Sequence, residues 1–150
     1  MKRVLLEQLI ALALLHAEGF DVWDSFASQL DRLYLNHPDS EILFRLETSP
    51  TEKDAVLHTL SLLNTDAIAD VDLFGRALMS ALSAEYQNGK TDLRTFAERG
   101  YDIWQILPSD MADSDPFFIL CYAGDPLSWG DEKQCRKHFE NAFSYYKTLK

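Results

Sequence analysis

The sequence predicts an all-α fold: one domain over residues 1–150, built of seven or eight short-to-medium helices packed as antiparallel hairpins, with no sheet. Three observations carry this expectation. Apolar residues recur at three- and four-residue spacing through most of the chain, the pattern of helices with one buried face. No stretch alternates apolar and polar residues for more than a few positions, as a half-buried strand would. Gly and Pro together number eleven and fall mostly between the periodic segments, where they stop helices. A chain of 150 residues can bury roughly 70% of the surface exposed by its unfolded form, enough for one core.

The elements follow in order. Leu5, Leu6, Leu9, Ile10, Ala13 and Leu14 define a first helix over 2–17, and Gly19 is a natural left-handed terminator. Met1-Lys2-Arg3 ahead of an apolar run has the outline of a secretory signal. Glu7 and Gln8 interrupt that run, however, and Leu15-His16-Ala17 lacks a small-x-small cleavage site, so the reading is an amphipathic helix. Asp21 is the expected cap of a second helix with the stripe Val22, Trp23, Phe26, Leu30, Leu33 and Tyr34, ending before Pro38. A short third helix carries Ile42, Leu43 and Leu46. Ser49-Pro50-Thr51-Glu52 has the form of a capping box and opens a fourth, with Val56, Leu57, Leu60 and Leu63.

A fifth helix from Asp70 or Asp72 carries Leu73, Phe74, Ala77, Leu78, Ala81 and Leu82 up to Asn88-Gly89, and Thr91 opens a sixth that reaches Gly100. Asp115-Pro116 repeats the cap-then-proline signature before a short apolar helix, stopped by Gly124-Asp125-Pro126. The last helix starts near Asp131-Glu132 and buries Cys135, Phe139, Ala142, Phe143 and Tyr146. Gly19-Phe20-Asp21-Val22-Trp23 and Gly100-Tyr101-Asp102-Ile103-Trp104 share the order Gly, aromatic, Asp, β-branched, Trp. As a duplication, each copy would use Gly to stop a helix, Asp to cap the next and a buried Trp to anchor it. The alternative is chance, since there is one pair and no fixed period.

Charge is distributed unevenly. Residues 100–132 hold no Lys, Arg or His but seven acids, and six aromatics are threaded among them, so this fifth of the chain carries -7 of a net charge of -10. Such a balance works against nucleic acid and anionic lipid and favours a basic partner. A surface made for solubility alone usually mixes both signs.

Tests for chemistry give little. An EF-hand starting at Asp113 would place Phe118 where Gly is required and Gly124 where Glu is required. No zinc-helix, P-loop, dinucleotide or nucleophile-elbow motif is present. His16, His37, His58 and His138 are scattered. Cys135 and His138 lie three apart, but Cys135 heads an apolar stripe, where a thiol is inert. Cys121 and Cys135 read as reduced core residues of a cytoplasmic protein. No run reaches the ~20 apolar residues needed to span a bilayer.

These readings converge on a noncatalytic binding protein whose acidic, aromatic-containing face docks on a basic protein through Asp110, Asp113, Asp125, Trp129, Asp131 and Glu132, with no metal, cofactor, nucleic acid or membrane partner expected. Small size, acidity, helicity and absence of catalytic motifs are the general character of bacterial immunity proteins that neutralise toxins. That likeness is one of physical type and no motif carries it. Two other classes stay open: a helical regulatory or scaffold domain binding a peptide in an apolar groove, and a hydrolase whose dispersed carboxylates meet in a deep pocket.

Overall fold

The computed structural model of the chain describes residues 3–36, 71–107 and 109–148. Among them are seven α-helices, one 3-10 helix and no strand, so the all-α expectation holds. The chain divides into two compact units, Met1–Ala81 and Leu82–Lys150.

In the first unit, α1 (Arg3–Ala17) and α2 (Trp23–Asn36) pack on each other. The turn between them is a Schellman motif. Gly19 takes φ 97°, its N–H donates to the His16 carbonyl at 3.0 Å, and the Phe20 N–H donates to the Leu15 carbonyl at 3.0 Å. Leu9, Ile10, Leu14 and Leu15 of α1 are buried, as are Phe26, Leu30 and Leu33 of α2. Helix α3 (Val71–Asn88) belongs to this unit up to Ala81, where Phe74, Leu78 and Met79 are buried.

The second unit contains the end of α3, then α4 (Leu93–Ile106), α5 (Ser109–Ala112), α6 (Phe117–Tyr122), a 3-10 helix over Asp125–Trp129 and α7 (Glu132–Thr148). Its core is aromatic. Phe96 and Phe139 meet edge to face with centroids 5.0 Å apart, Tyr86 lies 5.5 Å from Phe96, and Phe143 stacks on Phe139 at 6.1 Å. Edge-to-face and offset pairs add about 0.5–1.5 kcal/mol beyond the area they bury. Asp92 caps α4 by accepting from the Thr95 N–H at 2.7 Å, and Asp131 caps α7 by accepting from the Gln134 N–H at 3.0 Å. Of the predicted stripe of α7, Cys135, Phe139 and Ala142 are buried, while Phe143 and Tyr146 are half-buried. Gly89, with φ 71°, follows α3 as expected.

Several expectations are corrected. Gly100 does not end a helix: it is a buried residue inside α4, close to Leu120 and Phe139. Asp102 is therefore an exposed mid-helix residue and not a cap, and the proposed repeat fails, because Gly19 stops a helix and Gly100 does not. Trp23 is 42% exposed. As the first residue of α2 it lies at the edge of the core, 5.1 Å from His16 and 5.8 Å from Phe26, while Phe20 and Phe26 take the interior. Trp104 is half-buried. Helix α2 starts at Trp23, so Val22 and not Asp21 stands at the cap position, and its carbonyl accepts from the Phe26 N–H at 2.9 Å. Pro116, with no side-chain bond, replaces Asp115 as the residue capping α6, and Asp92 replaces Thr91 at α4. The third and fourth predicted helices, with Ser49 and Pro50, lie outside the described residues.

Candidate functional site

The residues expected to form the docking face divide into three groups. Asp110 and Asp113 sit on α5 and the turn after it, both exposed, ahead of the six-residue α6. Asp125 and Trp129 begin and end the 3-10 helix that follows α6. Trp129 is 67% exposed and has no ring partner among the described residues. Asp131 and Glu132 open α7, and both have structural work: Asp131 is its cap, and the Glu132 carboxylate accepts from Arg136 at 2.8 and 3.1 Å. Their charges are thus partly committed within the protein, whereas Asp110, Asp113 and Asp125 point no carboxylate at a hydrogen-bond donor among the described residues.

The more continuous surface is aromatic. Tyr101 lies 5.7 Å from Trp104, Trp104 lies 6.4 Å from Phe118, Phe118 lies 5.8 Å from Tyr122, and Tyr122 meets His138 edge to face at 5.0 Å. This chain of rings crosses from α4 over α6 to α7. Tyr101 is 40% and Phe118 41% exposed, while Phe117, next to Phe118, turns inward and is buried. A six-residue helix has room for one inward and one outward face, and the paired phenylalanines occupy both. The Trp104 indole N–H donates to the Ala112 carbonyl at 2.9 Å, which fixes its ring. Burial, then the charge of Asp115, hold the Tyr122 hydroxyl above its ordinary pKa, so an acid stands beside the rings.

Two hollows open in this second unit, the smaller of them touching Tyr101. The larger, about 670 Å³, is lined by Tyr86, Asp92, Arg94, Glu98, Glu132 and Arg136 among others. Its charges are mixed and partly engaged, with Arg136 on Glu132 and Asp92 on the Thr95 amide. The smaller, about 390 Å³, lies between α4 and the end of α6 with the start of the 3-10 helix. Its floor is Ala97, Leu120 and Leu127, its wall is Tyr101, and Glu98, Asp102, Asp125 and Arg94 stand around it.

Glu98 and the aromatic chain were not among the residues expected from sequence. Reading Gly100 as a terminator split α4, so the face formed by Arg94, Ala97, Glu98, Tyr101 and Asp102, at helical spacing, was cut in two. The spacing itself was the signal.

Among the described residues no group of three or more His, Cys, Asp or Glu side chains is placed to hold a metal ion. Burial raises the Cys135 thiol above its ordinary pKa, which disfavours the nucleophilic thiolate. No helix among the described residues is long and apolar enough to cross a membrane. The class these features define is an all-α protein with exposed aromatic side chains. Comparison with protein-family models, curated proteins and solved structures gives no match.

Proposed function

We propose that the chain is a noncatalytic, cytosolic binding protein that docks on a basic protein partner through this surface, and that the partner is a toxin neutralised by the docking, in the manner of bacterial immunity proteins. The observation that carries the reading is the exposure of Tyr101, Phe118 and Trp129, at 40, 41 and 67%, within a stretch of seven acids and no cations. Large rings left in water are the usual anchors of an interface, because their burial against a partner supplies most of its binding energy. Acids around them raise the rate of encounter with a basic surface and disfavour acidic competitors. A toxin that uses Lys or Arg to hold phosphate would lose those groups to the carboxylates. The cytosolic placement is supported by two free cysteines, one buried in the core.

The test is affinity capture from the native host followed by binding kinetics at two salt concentrations. Wild type is compared with Asp110→Asn/Asp113→Asn/Asp125→Asn and with Phe118→Ala. A basic partner is expected, with slower and less salt-sensitive association for the neutralised variant and faster dissociation for Phe118→Ala. An acidic partner, or equal binding by all three proteins, rejects the reading.

A further inference from the structure

The smaller hollow has a shape and charge that specify more than a basic partner. Ala97, Leu120 and Leu127 give it an apolar floor, and Tyr101, 40% exposed, gives it a flat aromatic wall. Glu98 and Asp102 come from successive turns of one face of α4, and Asp125 comes from the opposite side, at the first residue of the 3-10 helix. None of these three carboxylates makes an ion pair or side-chain hydrogen bond among the described residues. The single cation in the lining is Arg94. Three acids against one cation leave the hollow negative, while its floor is apolar.

That combination suits a side chain with a long apolar stem and a flat cationic head. A guanidinium stacks on an aromatic face and offers a planar fork of donors to carboxylates on two sides; a lysine ammonium offers neither. At about 390 Å³ the hollow falls at the low end of the range for small ligands, which fits one such side chain. Its existence depends on a close approach. A Cβ on Gly124 would lie 2.9 Å from the Ala97 Cβ, so the glycine lets α4 and the end of α6 come together beneath the floor.

We infer that this groove seats one arginine side chain from an extended segment of the basic partner, with the stem on Leu127, the guanidinium against Tyr101, and its N–H groups donating to Asp102 and Asp125. The inference rests on the docking reading and narrows it to one recognised residue.

The experiment titrates the full ¹⁵N-labelled chain with a capped pentapeptide carrying one central arginine between glycines, and with its citrulline and lysine counterparts. Saturable amide shifts confined to residues 94–102 and 120–127 are expected for arginine. Citrulline has the same shape without the charge and should bind about tenfold more weakly, the loss of one charge-assisted bond's share. Asp102→Asn/Asp125→Asn, both at exposed positions, should retain the wild-type spectrum elsewhere and lose the arginine shifts. Equal binding of citrulline, shifts centred outside the groove, or full binding by the double variant would overturn the assignment. The two readings fail separately. A basic partner that binds the double variant as tightly as wild type removes the groove and leaves docking intact. An acidic captured partner removes docking, while the arginine titration still decides the groove.

Discussion

The indole N–H of Trp104 donates to the Ala112 carbonyl at 2.9 Å, tying the ring at the centre of the exposed aromatic chain to the backbone at the end of α5. Trp104→Phe keeps most of the ring and removes the donor. The expected cost is about 1 kcal/mol in urea denaturation, the usual net value of one hydrogen bond. Trp104→Ala should cost more, about 2–3 kcal/mol, yet less than a fully buried tryptophan, because this ring is half exposed already. If Phe and Ala variants unfold at the wild-type midpoint, the bond contributes nothing to the fold.

Gly124 and Ala97 make a sharper case. Adding a methyl at 124 places it 2.9 Å from the Ala97 Cβ, a distance that forces α4 and the segment after α6 apart. Gly124→Ala should destabilise by about 1–3 kcal/mol, as overpacking does. Ala97→Gly removes the obstructing methyl, at about 0.5–1 kcal/mol of its own for glycine inside a helix. The double variant should therefore be more stable than the sum of the singles implies. Strict additivity would mean the two sites are not in contact.

The cap of α4 gives a pH prediction. The Asp92 carboxyl is held below its ordinary value of 3.8, chiefly by the bond from the Thr95 N–H and less by the charges of Arg94 and Arg99. A folded-state pKa lowered in this way contributes stability that is full above the unfolded value and lost as pH falls through the folded one. Wild type should thus exceed Asp92→Ala in melting temperature at pH 7 and pH 5, and the gap should narrow below about pH 4. A gap that stays constant down to pH 2 would mean the carboxylate charge plays no part in the cap.

What could be read in advance follows from which forces are local. Helix stripes such as Phe74, Leu78 and Leu82, or Cys135, Phe139 and Ala142, depend on spacing alone, and the buried residues match them. Gly19 and Gly100 show the limit. Both are glycines followed by an aromatic and an aspartate, but Gly19 takes φ 97° and closes α1, whereas Gly100 continues α4 and lies buried beside Leu120 and Phe139. The two pentapeptides alone do not record that difference. The same applies to the site. Exposed Trp129 was legible from its place between Ser128 and Gly130. The line from Tyr101 to Tyr122 requires α4 to lie against α6, and the commitment of Glu132 to Arg136 requires the first turn of α7 to be built.

The local field at Trp129 can be measured without a partner. The ring is 67% exposed at the end of the 3-10 helix, with Asp125 at the other end of that element and Asp131 just beyond it. Lys133, Arg136 and Lys137 follow on the exposed face of α7, and Arg136 is engaged by Glu132. A chain with Trp23→Phe and Trp104→Phe reports this indole alone. Caesium should quench it more efficiently than iodide at low salt, since a negative potential concentrates cations and repels anions. The preference should shrink as ionic strength rises to about 0.15 M, where exposed charges are screened beyond about 8 Å. Asp125→Asn should reduce it further, with no change in the urea midpoint, because that side chain is exposed and makes no bond among the described residues. Preferential quenching by iodide would show that the cations of α7 dominate the surface at Trp129, and this tryptophan would then be a poor anchor for a basic protein.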